Sequence, residues 1–322
     1  MVDALDRRLL NDFQRGFPLV DRPFAAIGER VGAGEEEVLR RYRRLARNGL
    51  VSRIGVVFRP NAAGASTLAA LAVPADRLEG VAKWLSAQSE VNHNYEREHR
   101  YNLWFVLAAR SADGLDAICA RIERETGLPL LRLPLEEEYH IDLGFDLGTG
   151  RCKSRGVRHA RGGAERISEA ERPLVAALQD GLPMVPRPFV ELARTSGLGA
   201  DALQRAAGDW IERGIARRVG VVVRHRPLGY AANAMAVWDV PDADVARAGA
   251  ALAAEDGVTL CYRRPRRLPD WPYNLFCMIH GREQEAVRRE VEALSARHGL
   301  AGLPHDILFS PRCFTQRGAR YG

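Results

Sequence analysis

Gln14-Arg15-Gly16-Phe17-Pro18-Leu19-Val20-Asp21-Arg22-Pro23-Phe24 returns 165 positions later as Gln179-Asp180-Gly181-Leu182-Pro183-Met184-Val185-Pro186-Arg187-Pro188-Phe189. Gly49, Arg53, Gly55, Val56 and Val57 return as Gly214, Arg218, Gly220, Val221 and Val222 at the same offset. Further on, Val91 and Tyr95 match Val258 and Tyr262, and Tyr101-Asn102-Leu103 matches Tyr273-Asn274-Leu275, with the offset grown to 172. Loops absorb insertions while the elements around them keep their spacing. A period this long exceeds any solenoid repeat. It implies a duplicated pair of domains, an internal pseudo-dimer, and whatever differs between the halves is a candidate for function.

Working outward, residues 5–58 read as a winged helix-turn-helix. Helices are expected over Asp6–Asp12, from Arg22-Pro23-Phe24 to Val31, and over Glu35–Asn48, where Val38, Tyr42 and Leu45 share one face. Asn48-Gly49 ends the third helix, and Val51–Phe58 is the wing. Residues 168–223 repeat this plan. After each wing come an alternating strand, a helix, two strands around the Tyr-Asn-Leu motifs, a second amphipathic helix and a last strand. This β-α-β-β-α-β order is the ferredoxin-like pattern. The fold class is therefore α+β, a tandem duplication of a winged helix plus a ferredoxin-like domain. The boundaries are 1–60, 61–147, 168–226 and 227–322, with a Gly- and Arg-rich linker at 148–167.

The 322 residues are 46% hydrophobic and carry a net charge of +6, with a pI near 9.3. Lys83 and Lys153 are the only lysines, so the basic residues are nearly all arginine, which suits planar carboxylate recognition. The start, Met1-Val2-Asp3-Ala4-Leu5-Asp6, is acidic, and no apolar run suits a bilayer. Five cysteines without CxxC or metal spacing favour reduced thiols, and a cytoplasmic location is expected. No metal site built by the protein is expected. DNA is not expected as a partner either, because the recognition helix opens on Glu35-Glu36-Glu37, acids that face a phosphate wall unfavourably.

Polar and aromatic groups concentrate in three places. One is Asn92-His93-Asn94-Tyr95-Glu96-Arg97-Glu98-His99-Arg100-Tyr101-Asn102-Leu103-Trp104-Phe105, and its partner runs from Cys261-Tyr262-Arg263-Arg264-Pro265-Arg266-Arg267 to Trp271-Pro272-Tyr273-Asn274-Leu275-Phe276. The third is Tyr139-His140-Ile141-Asp142-Leu143-Gly144-Phe145, opposite Phe309-Ser310-Pro311-Arg312-Cys313-Phe314. The domain layout resembles the Lrp/AsnC regulators. The three clusters, with the segment ending Arg317-Gly318-Ala319-Arg320-Tyr321, resemble the siroheme decarboxylases of haem d1 biosynthesis in a fused NirD–NirL form. The resemblance spans almost the whole chain. It implies removal of the acetate carboxylates at C12 and C18 of siroheme, giving 12,18-didecarboxysiroheme, at a site enclosed by the paired sheets.

The residues suit that chemistry. Siroheme is a flat macrocycle with eight carboxylates, to be held by arginine forks and aromatic walls. Arg97, Arg100, Arg263, Arg264 and Arg266 are the expected anchors, beside Tyr95, Trp104, Tyr262 and Trp271. Loss of carbon dioxide leaves an electron pair that the macrocycle delocalises, and a proton must then reach carbon. His93 and His140, with His99 third, are the candidate donors. The second half has Leu260 where the first has His93, and Phe309 or Ser310 near the position of His140. That asymmetry predicts one working site per chain. His280 reads as structural, and His159, His225, His298 and His305 receive no role. The reaction is redox-neutral, so no cofactor is expected beyond the iron that arrives within siroheme. The competing readings are an Lrp/AsnC-type DNA-binding regulator and a non-catalytic tetrapyrrole carrier, and the chain could also pair into a homodimer.

Overall fold

A computed structural model describes residues 2–141, 165–224 and 226–321. The expected linker (but for 165–167), the segment Asp142–Phe145, Cys152, His159 and His225 lie outside the described residues. The first half runs α1 (Ala4–Asp12), α2 (Pro23–Val31), α3 (Glu35–Arg47), β1 (Val51–Phe58), β2 (Ala65–Leu71), α4 (Leu78–Ala87), β3 (Val91–Glu96), β4 (Leu103–Ala109), α5 (Ala112–Thr126), β5 (Leu131–Pro134) and β6 (Glu137–Ile141). The second runs α6 (Arg172–Leu178), α7 (Pro188–Ser196), α8 (Ala200–Glu212), β7 (Ala216–Val223), β8 (Ala232–Trp238), α9 (Val245–Ala253), β9 (Val258–Arg263), β10 (Leu275–Gly281), α10 (Gln284–Arg297), β11 (His305–Phe309) and β12 (Arg312–Gln316).

The repeated loops that revealed the duplication are what join the halves. Wing strands β1 and β7 pair antiparallel, with Gly55 opposite Gly220. Each glycine lets the other half's loop lie against the strand. A Cβ on Gly55 would meet the Gly181 backbone, and one on Gly220 would meet the carbonyl of Gln14. The bonds are reciprocal: Phe17 N–H donates to Val219 O at 3.3 Å and Leu182 N–H to Ile54 O at 2.7 Å. Phe17 and Leu182, like Ile54 and Val219, stand 165 residues apart, so a pseudo-twofold axis passes between the glycines.

Strand order departs from four-stranded sandwiches. One sheet is β5-β2-β4-β3-β12 and the other β6-β9-β10-β8-β11, so each half lends its last strand to the edge of the other's sheet. The helices cover the outer faces, and the inner faces meet in a core that includes Trp104, Leu133, Met235, Tyr262, Trp271, Phe276 and Leu308. Burial on both faces of a sheet demands side chains that satisfy each layer in turn. In β3, Asn94 turns to the helices and donates to Ala82 O and Ser86 Oγ, both at 3.0 Å, which sends His93 and Tyr95 inward.

The recognition helix carries its charge locally. Arg41 pairs with Asp3, Asp6 and Glu37, Arg44 pairs with the buried Asp6, and Arg43 donates across to Met184 O at 2.7 Å. Among the described residues no helix is long and apolar enough to cross a membrane.

Candidate active site

The inner faces of the two sheets do not close completely. Beneath the wings they leave a cavity of about 400 Å³, lined by both sheets, both wing strands and the C-terminal segment Gln316–Tyr321. The cavity straddles the pseudo-twofold axis and holds both members of several related pairs: Arg53 and Arg218, Tyr95 and Tyr262, Arg97 and Arg264. Six arginines line it (Arg53, Arg97, Arg217, Arg218, Arg264 and Arg317), and no Asp or Glu does so among the described residues. A polyanion would find every charge in this lining favourable.

Several of these guanidinium groups have donors left over. Arg53 donates to Val56 O at 2.8 Å, while its Nη1 is buried without a partner. Arg97 donates from Nη1 to Leu308 O at 2.8 Å, leaving Nε buried and unbonded. Burial, opposed by Asp180 for Arg53 and by Tyr262 for Arg97, brings both guanidinium groups down to about 10. Arg264 lies 4.6 Å over the Tyr262 ring, donates to Leu133 O, and also has a buried, unpartnered Nε. A buried donor without a partner is costly, and a carboxylate would relieve that cost. Arg217 already pairs with Glu138, and Arg317 is tied to the carbonyls of Val91, Ser86 and Gln88.

His93 opens onto the cavity, stacked beside Tyr95 with centroids 6.1 Å apart. Its ring is part-exposed to that space, yet the space itself is deep in the protein. Burial, and then the charge of Arg53, push its pKa down to about 4. His93 is therefore neutral at pH 7. Trp104 forms a wall, its Nε1 donating to Tyr101 O at 2.6 Å and its ring edge-on to Trp271 at 5.1 Å.

Of the residues expected from sequence, His93, Tyr95, Arg97, Trp104, Tyr262 and Arg264 line this cavity, and the others lie elsewhere. His99 sits edge-on to Trp271 at 5.5 Å, its Nδ1 accepting from Tyr101 N–H at 2.9 Å and its Nε2 3.6 Å from Asp306. Burial lowers its pKa, with Asp306 opposing. His140 lies opposite Cys261, which belongs to the helix-covered core, and a bulge before it makes Ile141 the cavity residue of β6. Trp271 is fully buried in the apolar core behind the cavity. Arg100 pairs with Asp270 at 3.1 Å, Arg263 with Glu136 and Asp242 at 3.1 and 3.2 Å, and Arg266 with Asp239 and Asp242 at 2.6 and 2.9 Å. Those three cations are already neutralised by neighbouring loops.

The register also corrects one alignment. Cys313 and Thr315 face Tyr95 and Asn94 as Glu138 and His140 face Tyr262 and Cys261. Thr315, rather than Phe309 or Ser310, is thus the counterpart of His140. Leu260 is confirmed opposite Met278, as His93 is opposite Val106.

The sequence reading gave no place in the site to Arg53, Arg217, Arg218, Arg317 or His280, all of which line the cavity. Three of them carried a signal, since Arg53 and Arg218 are themselves part of the repeat and Arg317 belongs to the C-terminal segment that carries the resemblance. A separate cavity of about 300 Å³ lies beside Arg110, Arg166 and Arg172, but Glu169 already pairs with Arg110 and Arg172. Among the described residues no group of three or more His, Cys, Asp and Glu could hold a metal ion.

Known proteins share this architecture. The AsnC-like ligand binding domain family matches residues 63–140 and 227–315, and the siroheme decarboxylase NirDL-like HTH domain family matches residues 6–51. The siroheme decarboxylase NirDL subunit of Paracoccus denitrificans is 47% identical, over 99% of this chain and 97% of its own. The siroheme decarboxylase of Hydrogenobacter thermophilus is 32% identical, over 98% of this chain and 94% of its own. A crystal structure of the siroheme decarboxylase NirDL in co-complex with an iron-uroporphyrin III analogue superposes with a TM-score of 0.68 at 29% identity, covering 98% of this chain and 94% of that one. Full-length identity and a shared architecture together place the chain in the siroheme decarboxylase NirDL family.

Proposed function

We propose that the inter-sheet cavity binds siroheme and that the chain removes the acetate carboxylates at C12 and C18, releasing 12,18-didecarboxysiroheme. As a siroheme decarboxylase it is a carboxy-lyase. The observation that carries the site assignment is the lining itself, which among the described residues holds six arginines, no carboxylate and the neutral His93. A related NirDL binds an iron-uroporphyrin III analogue, and that flat polycarboxylate supports the same ligand class here.

Arg97 and Arg264 stand at equivalent places in the two halves and would hold carboxylates that stay. Arg53 adds a third fork from the wing. The carboxylate to be lost leaves as carbon dioxide when its C–C bond breaks. The electron pair passes into the conjugated ring, and a proton from an imidazolium then completes the methyl group. His93 supplies that proton. It enters the reaction through its ligand: carboxylates brought near the ring favour its charged form and oppose burial and Arg53, the two influences that keep it neutral. The steps balance without an electron acceptor, so no cofactor is required.

DNA is not a partner in this reading, because Arg40, Arg41, Arg43 and Arg44 of α3 are taken up by Asp3, Asp6, Glu37 and Met184 O. The test is anaerobic incubation of the purified protein with siroheme, followed by mass spectrometry. Two successive losses of carbon dioxide are expected. Tight binding without any loss would overturn the decarboxylase reading in favour of a carrier.

A further inference from the structure

Two rows of side chains face each other across the cavity, one on each sheet. In one sheet the register sets Ile141, Leu260, Met278 and Met235 side by side across β6, β9, β10 and β8. The equivalent row across β12, β3, β4 and β2 is Gln316, His93, Val106 and Leu68. Every one of these residues lines the cavity. The rows agree in kind on two strands and part on the other two, where Gln316 and His93 are polar and Ile141 and Leu260 are not. Asn233 and His280 stand two positions farther along β8 and β10, outside the row.

The cation bonded to the apolar row adds no free charge to it. Arg217 donates to Ile141 O at 3.4 Å and pairs with Glu138, and its equivalent in the first half is the uncharged Ser52. Apolar side chains that border a cavity gain from an apolar ligand surface and not from water. Two of the four are methionines, whose unbranched thioethers adapt to an uneven surface.

Siroheme has an uneven apolar face to offer. Its macrocycle is flat except at C2 and C7 of the two reduced rings, which are tetrahedral. Each carries a methyl group on one face and an acetate on the other, and the methyl groups share a face. Resting on the siroheme reading above, we propose that the row Ile141, Leu260, Met278 and Met235 recognises these methyl groups and so selects the face by which siroheme enters. The acetate-bearing face is then turned to His93 and Gln316. A tetrapyrrole with the same acids but without the methyl groups would meet the same arginines and lack this contact.

The test is a pair of anaerobic absorbance titrations, one with siroheme and one with iron-uroporphyrin III, which has the same carboxylates and neither methyl group. They are run on wild type, on the double variant Ile141→Gln/Leu260→Gln and on Leu260→Ala. The double variant makes this row polar at the end where the first half already is, and Leu260→Ala carries the test where the double variant fails to fold. Wild type is expected to bind siroheme roughly tenfold more tightly than iron-uroporphyrin III, the gain from burying two methyl groups. That preference should fall to within about twofold in the double variant and by about threefold in Leu260→Ala, with iron-uroporphyrin III binding nearly unchanged. Equal weakening of both ligands would overturn the assignment, because lost packing alone does that, and so would a wild type without the preference. A wild type that bound neither tetrapyrrole would defeat the siroheme reading itself, and this inference with it.

Discussion

The first and second halves present nearly the same wall to the cavity and differ at a few inward positions, the ones to which the proposed reading gives the chemistry. Arg53 and Arg218, Tyr95 and Tyr262, and Arg97 and Arg264 are retained across the pseudo-twofold axis. His93 faces the axis in one half where Leu260 does in the other, and the Asn233–His280 pair replaces Ser66 and Ala108. Siroheme has acids around its whole rim, so symmetry suits the anchors. The acetates that react occupy particular positions, so symmetry does not suit the proton donors. On the proposed reading, duplication supplied a symmetric grip, and divergence of a few inward positions made the grip directional.

The sharpest break of that comparison is at His93. His93→Gln keeps a polar side chain but no titrating nitrogen, and should lower the turnover number about 10²- to 10⁴-fold, the usual range for losing a general acid. His99→Gln and His140→Gln lie outside the cavity and should stay within about threefold of wild type, since a donor must be within hydrogen-bond reach of its acceptor. Steady-state carbon dioxide release measures all three. A large loss from His140→Gln would mean that β6 turns its histidine inward when ligand is bound.

The next effect is on stability, and its sign follows from the neutral state of His93. The folded ring titrates near 4 against an ordinary 6.5. Below the ordinary value the unfolded chain takes up a proton that the folded chain refuses. The stability tied to this group is therefore complete above pH 6.5 and is lost as pH falls toward 4. A tenfold difference in proton affinity between the folded and unfolded chains corresponds to about 1.4 kcal/mol, so the drop reaches up to about 3 kcal/mol. His93→Leu imports the other half's residue and should flatten the acid limb of a plot of thermal midpoint against pH. An unchanged limb would place the acid sensitivity in other groups.

Much of this arrangement was legible from the residues because it is local. Helix caps, the glycines that mark turns and the alternation of β2 and β8 all act over a few positions, so both winged helices and the β-α-β-β-α-β order could be read directly. The density of polar and aromatic groups around them picked out His93, Tyr95 and Arg97. The β3–β4 turn then separated neighbours that looked alike: Arg97 is buried in the cavity wall, and Arg100, at the tip, meets Asp270. Strand exchange was not legible, because β12 meets β3 across more than 200 residues and pairing at a sheet edge leaves no local pattern. Arg317 was visible only as part of the segment ending Arg317–Tyr321, and its place in the cavity was not, for the same reason. Arg53 and Arg218 were seen, but as markers of the repeat rather than as part of a wall.

The smallest effects test whether the symmetric grip is truly shared. Hydrogen bonds to charged groups are worth about 1.5–3 kcal/mol, so Arg97→Gln and Arg264→Gln should each weaken siroheme binding about 10- to 100-fold. Their similarity matters more than their size, because equivalent anchors on either side of the axis should cost similar amounts. Arg100→Gln, Arg263→Gln and Arg266→Gln remove cations already paired with Asp270, Glu136, Asp239 or Asp242, and exposed pairs contribute little, so binding should move less than about twofold. Absorbance titrations of the five variants decide the matter. A large loss from Arg264→Gln with none from Arg97→Gln would mean that the second half holds the substrate alone, and that the first half contributes its histidine to a site anchored by its partner.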